Sequence, residues 1–142
     1  MQAKKAIRKP PATIPSGTSM ADAARLMDRR VVGALVALNG DRPIGIVTDR
    51  DLAVRRLGRR LPGEASVDRV MTTELVTLPA GAYLREAIKV FYRHPFRRLP
   101  LMEDGPMVGM LTVDDLVIDF VSDSRRKATA RTVPKVPARK VG

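Results

Sequence analysis

The chain has 142 residues, with 26 Lys+Arg against 15 Asp+Glu, a formal net charge of +11, one histidine and no cysteine. That length suits one compact domain or two very small ones; the lack of cysteine excludes a disulfide framework, a thiolate-held metal and a cysteine nucleophile, and one histidine argues against a zinc cage, which draws on several ligands. No apolar run approaches the roughly 20 residues of a membrane-spanning helix, and the first basic residues have no apolar stretch behind them, so neither an anchor nor a secretory signal is expected and the expected compartment is the cytoplasm.

The positive excess sits at the two ends. Residues 1–9 hold Lys4, Lys5, Arg8 and Lys9 with no acid, and residues 125–142 hold seven bases, Arg125 to Lys140, with no acid. Between them bases and acids are equal in number, so the body is neutral by count. Residues 125–142 also carry two prolines, no aromatic residue and no sustained period, the composition of a flexible basic tail. Such tails suit nucleic acid or an acidic partner, with phosphate contacts that weaken as salt rises.

In chain order the body reads as two copies of one unit. Residues 12–54 align without a gap with residues 76–118 at a spacing of 64, placing Thr13 on Thr77, Pro15 on Pro79, Gly17 on Gly81, Ala23 on Ala87 and Leu35 on Leu99. In the first copy an extended piece, residues 12–14, leads through Pro15-x-Gly17 to Met20, Ala23, Ala24 and Met27. This i, i+3, i+4, i+7 stripe predicts an amphipathic helix. Two short apolar runs follow, residues 33–38 and 43–47, divided by Asn39-Gly40-Asp41, a turn signal between strands. A second helix is predicted from Thr48-Asp-Arg-Asp51. The second copy repeats the order with an extended piece at 75–78, a stripe of Leu84, Ala87, Ile88 and Phe91, and a last helix from Thr112-Val-Asp-Asp115. The expected fold class is α/β in the broad sense (α+β), as two tandem strand-helix-strand-strand-helix units. A unit this small buries only about 60% of its surface, so the two are expected to pack on each other.

Both copies contain the pattern Gly-apolar-apolar-Thr-x-x-Asp-apolar, as Gly45-Ile-Val-Thr48-Asp-Arg-Asp51-Leu52 and Gly109-Met-Leu-Thr112-Val-Asp-Asp115-Leu116. In these motifs, their order and their repetition, each copy resembles the CBS domain. The pair resembles a whole Bateman module with its units in a pseudo-two-fold arrangement, similar to small stand-alone actinobacterial stress-response proteins. Val67-Asp-Arg-Val-Met71-Thr72 looks like the linker helix that precedes such a unit. Ala3, Ala6 and Ile7 stand at the corresponding places of the first unit as a weakened version. The organisation expected is a basic, partly helical N-terminal segment (1–11), unit 1 (12–60), a linker (61–72), unit 2 (73–124) and the basic tail (125–142). The resemblance implies a regulatory sensor that binds AMP, ADP, ATP or S-adenosylmethionine, requires no cofactor or metal, has no catalytic residue, and forms a homodimer. It also implies that the motif Asp holds the ribose hydroxyls and the motif Thr lies near ribose or phosphate.

The residues themselves leave two readings open. Thr48 with Asp51, and Thr112 with Asp115, fit a capping box that satisfies helix-start amides in proteins that bind nothing. The same helix start favours a phosphate, and a carboxylate there accepts bonds from a ribose diol. Ahead of its second strand, unit 2 offers His94, Arg97 and Arg98 where unit 1 has none of these. Arg97 and Arg98 are expected to join Thr112 and Asp115 in one nucleotide cleft through charge-assisted bonds, or to pair on the surface with Asp114, Glu103 and Asp104. His94 is counted with them among the nucleotide-binding candidates, although alone it reads more often as a surface or packing residue, and Phe96 reads as core filling or a border of the adenine pocket. The pairs Arg55-Arg56 and Arg59-Arg60 read as a solvated face. Besides the sensor, two functions remain: polyanion binding through the tails and a ligand-free dimeric scaffold. No motif for an enzyme is present.

Overall fold

The computed structural model describes residues 1–8 and 10–127. In the first repeat, β1 (Thr13–Pro15) lies parallel to β2 (Ala34–Asn39), which pairs antiparallel with β3 (Arg42–Thr48). In the second, β4 (Leu78–Pro79), β5 (Arg98–Met102) and β6 (Met107–Thr112) repeat that sheet, including the register shift in the middle strand, at Ala37/Leu38 and at Leu101/Met102. Helices α1 (Met20–Arg30) and α2 (Leu84–Arg93) connect the parallel strands. The expected mixed architecture of two strand-helix-strand-strand-helix units is therefore the one observed.

Local chemistry sets the ends of α1. The Ser19 hydroxyl accepts the Asp22 N–H at 3.1 Å to start the helix, as N-cap serines do. At its far end Val31 turns left-handed (φ 52°) while the Val31 and Val32 N–H groups bond the carbonyls of Asp28 and Met27. This Schellman closure redirects the chain into β2.

The last helices of the two units differ. That of unit 1 is wound as a π-helix over Asp51–Arg56, whereas α3 (Val113–Lys127) is a regular helix of 15 residues. Helix α3 runs three residues into the segment expected to be tail, so residues 125–127 are helical rather than loose. Residues 128–142, and most of the tail's charge, lie outside the described residues.

The lead segments are exchanged between units. The N-terminal turn Ala3–Ala6 docks on unit 2, with the Ala3 N–H donating to the Ala82 carbonyl and the Leu84 N–H to the Met1 carbonyl, both at 2.8 Å. Sixty-four residues on, the linker turn Val67–Arg69 docks on unit 1 through the corresponding bonds: Val67 N–H to the Thr18 carbonyl at 2.8 Å and Met20 N–H to the Ala65 carbonyl at 2.9 Å. Asp68 anchors the linker further by accepting the Ser16 hydroxyl at 2.7 Å and the Gly17 N–H at 3.0 Å. Burial works to raise its carboxyl, but the bonds from Gly17, Ser16 and Ser66 outweigh it and hold the group below the ordinary carboxylate range.

Each core therefore contains side chains from the segment that precedes the other unit. Val67 and Val70 are buried with Ile14, Met20, Ala23, Leu35 and Val47, and Ala3 and Ala6 with Ala87, Leu99, Leu101 and Leu111. The substitution of Ala for Val at the N-terminal turn, read from sequence as a weakening, leaves two fully buried alanines.

The motif glycines are explained by the same exchange. A Cβ on Gly45 would run into the Cγ, Sδ and Cε atoms of Met71 in the linker, and one on Gly109 into Cδ1 of Ile7 in the N-terminal segment. Gly45→Ala should therefore destabilise the fold by roughly 1–3 kcal/mol, the range for overpacking. In Met71→Ala the same glycine substitution should cost much less. Denaturant unfolding of the two single variants and the double variant checks this; additive losses would show that the contact is not the cause.

Candidate functional site

Two clefts lie between the units, and each is lined by both of them. In the first, Ile46 and Thr48 of unit 1 face Thr72, Leu75, Val76 and the stretch Phe96–Arg98. In the second, Met110, Thr112 and Asp115 of unit 2 face Arg8, Pro11, Ala12 and the stretch Val32–Ala34. These walls match at the spacing of 64: Thr72 answers Arg8, Leu75 answers Pro11 and Phe96 answers Val32. Their volumes differ, about 140 Å³ for the Thr48 cleft and about 370 Å³ for the Thr112 cleft. Only the second falls in the range of about 300–1,000 Å³ usual for small-molecule sites.

The start of each motif helix is built as a reciprocal box. Asp115 Oδ2 accepts the Thr112 N–H at 2.9 Å while Thr112 Oγ1 accepts the Asp115 N–H at 3.1 Å, and Asp51 and Thr48 repeat both bonds at the same distances. The capping reading of these residues is thus realised in both units. A helix-start N–H is also bound to the preceding loop, Asp49 to the Gly33 carbonyl and Val113 to the Arg97 carbonyl, each at 3.0 Å.

The remaining carboxylate oxygens separate the clefts. Oδ1 of Asp51 lies 3.7 Å from Arg55 Nε. Arg55 Nη1 in turn donates to the Val70 carbonyl at 2.8 Å, and Arg59 donates to the Arg69 carbonyl at 2.7 Å. These two arginines clamp the linker rather than forming a solvated face. Asp115 is buried (8% exposed), and among the described residues its Oδ1 has no partner. It is free to accept a ligand hydroxyl.

The expected cluster is only partly assembled. Arg98 stands opposite Thr112 in the β5–β6 ladder and lines the cleft with Thr112 and Asp115. Arg97 instead lines the Thr48 cleft, and its Nη2 lies 3.3 Å from Asp114 Oδ1 with both side chains exposed. Arg97 lies in the bend ahead of β5 whereas Arg98 is the first residue of that strand; both line the Thr48 cleft, and of the two only Arg98 also lines the Thr112 cleft. His94 lines neither cleft. It is exposed at the end of α2 and stacks on Phe96, with ring centroids 4.9 Å apart and planes at 13°. Phe96 packs against the unit 2 core, as its core-filling reading has it, and also borders the Thr48 cleft. Arg8, Pro11 and Gly33 were not singled out in the sequence; the repeat register alone could have drawn attention to them, because it places Arg8 on Thr72.

No group of three or more His, Cys, Asp or Glu residues that could hold a metal is present among the described residues. No helix among them is long and apolar enough to cross a membrane.

Comparison with known proteins agrees with this architecture. The CBS domain family model matches residues 3–58 and 67–121, starting each repeat at its lead segment. The chain is 32% identical over 112 residues to the CBS domain-containing protein YhcV of Bacillus subtilis, covering 79% of this chain and 80% of that one. It is also 32% identical over 118 residues to the CBS domain-containing protein CBSCBSPB3 of Arabidopsis thaliana, covering 82% of this chain but only 21% of that protein. The CBS domain pair of protein MJ0100, solved in complex with 5′-methylthioadenosine and S-adenosyl-L-methionine, shares the fold at a TM-score of 0.75 and 21% identity, covering 87% of this chain and 98% of that one. With two matched repeats, exchanged lead segments and paired clefts, the chain belongs to the CBS domain family as a tandem pair.

Proposed function

We propose that the chain is a regulatory module that binds an adenine nucleotide or S-adenosylmethionine, first in the Thr112 cleft, and passes occupancy to a partner through the arrangement of its units. The observation that carries this reading is the free Oδ1 of a buried Asp115 at a helix start, in a cleft of about 370 Å³. That oxygen accepts a ribose hydroxyl, the helix-start dipole favours a phosphate or carboxylate, and Arg98 and Arg8 supply charge-assisted donors. The complex of MJ0100 with S-adenosylmethionine supports an adenosyl ligand for this fold.

The module works as a homodimer. Ile88, Tyr92, Val117, Phe120 and Val121 expose a large apolar face on α2 and α3, and Val54 and Leu57 expose a second on the helix of unit 1. Arg55 and Arg56 at the end of the unit 1 helix and Arg59 and Arg60 just after it make that end basic, although Arg55 and Arg59 also hold the linker. Ahead of its three terminal bases, α3 carries Asp114, Asp119 and Asp123, none of them buried. Arg56 lines the groove between α1 and that helix, with its Nε buried and unpartnered. The acids of α3 from a second copy complement the basic end of the unit 1 helix, so unit 1 of one chain faces unit 2 of the other.

Two measurements test this reading. AMP, ATP or S-adenosylmethionine at about 100 times its Kd should stabilise the fold by roughly 2.7 kcal/mol, raising Tm by about 5 °C or more. Asp115→Ala should reduce the upshift to what the weaker Thr48 cleft alone supplies, while its own Tm falls modestly through loss of the cap. No upshift with any of the three at millimolar concentration would exclude the adenosyl reading. In sedimentation, Phe120→Ser should weaken dimerisation by at least about tenfold, the scale of a buried aromatic anchor.

A further inference from the structure

Arg98 is unique in the duplicated architecture. Its counterpart 64 residues earlier is Ala34, which stands opposite Thr48 just as Arg98 stands opposite Thr112. One copy of the site has thus gained a cation that the other lacks. Arg98 nevertheless lines both clefts, beside Thr112 in one and with Thr48 in the other. It makes no ion pair or side-chain hydrogen bond with the described residues, and its half-buried side chain belongs to the wall that divides the clefts. Arg97, the other cation of the Thr48 cleft, is paired with Asp114.

From this we infer that Arg98 couples the two clefts negatively for ligands that carry a phosphate. The first phosphorylated ligand takes the guanidinium, because the β-ladder already holds it beside Thr112 and that cleft is the roomier. A second dianion in the Thr48 cleft, which has to widen beyond its about 140 Å³ to admit one, finds this donor already claimed. Loss of a charge-assisted bond should lower the second affinity by roughly tenfold or more, within the usual span of coupling between sites. A ligand without phosphate leaves Arg98 unclaimed and senses no coupling. The two clefts would then act as one graded sensor of phosphorylated ligand instead of two equal receptors. This inference rests on the proposal that the clefts bind adenine nucleotides.

Calorimetric titration of the full chain with AMP and with adenosine tests it. Two unlike but independent sites would also give two affinities, so the decisive measurement is the Thr48 cleft with its neighbour disabled. In Asp115→Ala, and in Asp115→Asn, which keeps an acceptor for the Thr112 N–H should the alanine variant fold poorly, AMP should bind the Thr48 cleft about tenfold more tightly than in the weak step of the unsubstituted chain. Adding Arg98→Gln should remove that gain. Adenosine should show no gain in either variant. If the unsubstituted chain takes only one AMP, disabling Asp115 should move binding to the Thr48 cleft, reported by sensitivity to Thr48→Val, and loss of all AMP binding would overturn the coupling. An unchanged weak step, or a gain that survives Arg98→Gln, would overturn it while leaving the adenosyl reading intact. Absence of binding by AMP, ATP and S-adenosylmethionine to the unsubstituted chain would overturn both.

Discussion

The structure depends on the exchange of lead segments. Neither repeat closes its own core: Val67 and Val70 fill the core of unit 1, and Ala3 and Ala6 fill that of unit 2. Units of this size bury too little apolar surface to be more than marginal alone, and the exchange adds buried side chains to each without lengthening it. It also makes the connection between units part of both. Moving one unit relative to the other has to strain the segment from Ala65 to Thr72, which is bonded to the edge of unit 1 at Thr18, Met20 and Ile46.

The clefts follow from that constraint. Because the lead segments cross over, the chain just after each of them forms the wall opposite the other unit's motif helix. Thr48 therefore looks onto residues around Thr72, and Thr112 onto residues around Arg8. The motif glycines serve the crossing itself, since Gly45 and Gly109 lie under Met71 and Ile7. Motif glycine and motif aspartate thus do different work, one admitting the neighbouring segment and the other capping the helix that faces the cleft.

The duplication has kept the frame and changed its chemistry. Many hydrogen bonds recur at a spacing of 64, including both Thr–Asp boxes and both loop-to-helix bonds. What differs is carried by a few side chains. Arg55 turns from the surface to the linker and approaches Asp51, whereas Asp115 has no such neighbour. Arg98 replaces Ala34, Phe96 replaces Val32, and the unit 1 motif helix is wound as a π-helix, which widens a turn and commonly marks a functional segment.

The order of elements, the duplication, the capping boxes and the family were legible in the sequence, because each is set by short-range periodicity or by residue types at fixed spacing. The division of roles between Arg97 and Arg98 was not legible, because one lies in the bend ahead of β5 and the other opens the strand, and only the folded sheet decides which of them reaches which cleft. The same holds for His94, drawn away by stacking on Phe96, and for Arg55 and Arg59, whose partners are carbonyls 15 and 10 residues away. The sequence by itself determined two copies of a helix-capping, cleft-facing motif. Only the tertiary structure decided that each cleft takes its second wall from the other unit and that one arginine lines both, since those contacts arise from a crossing of segments that no local pattern encodes.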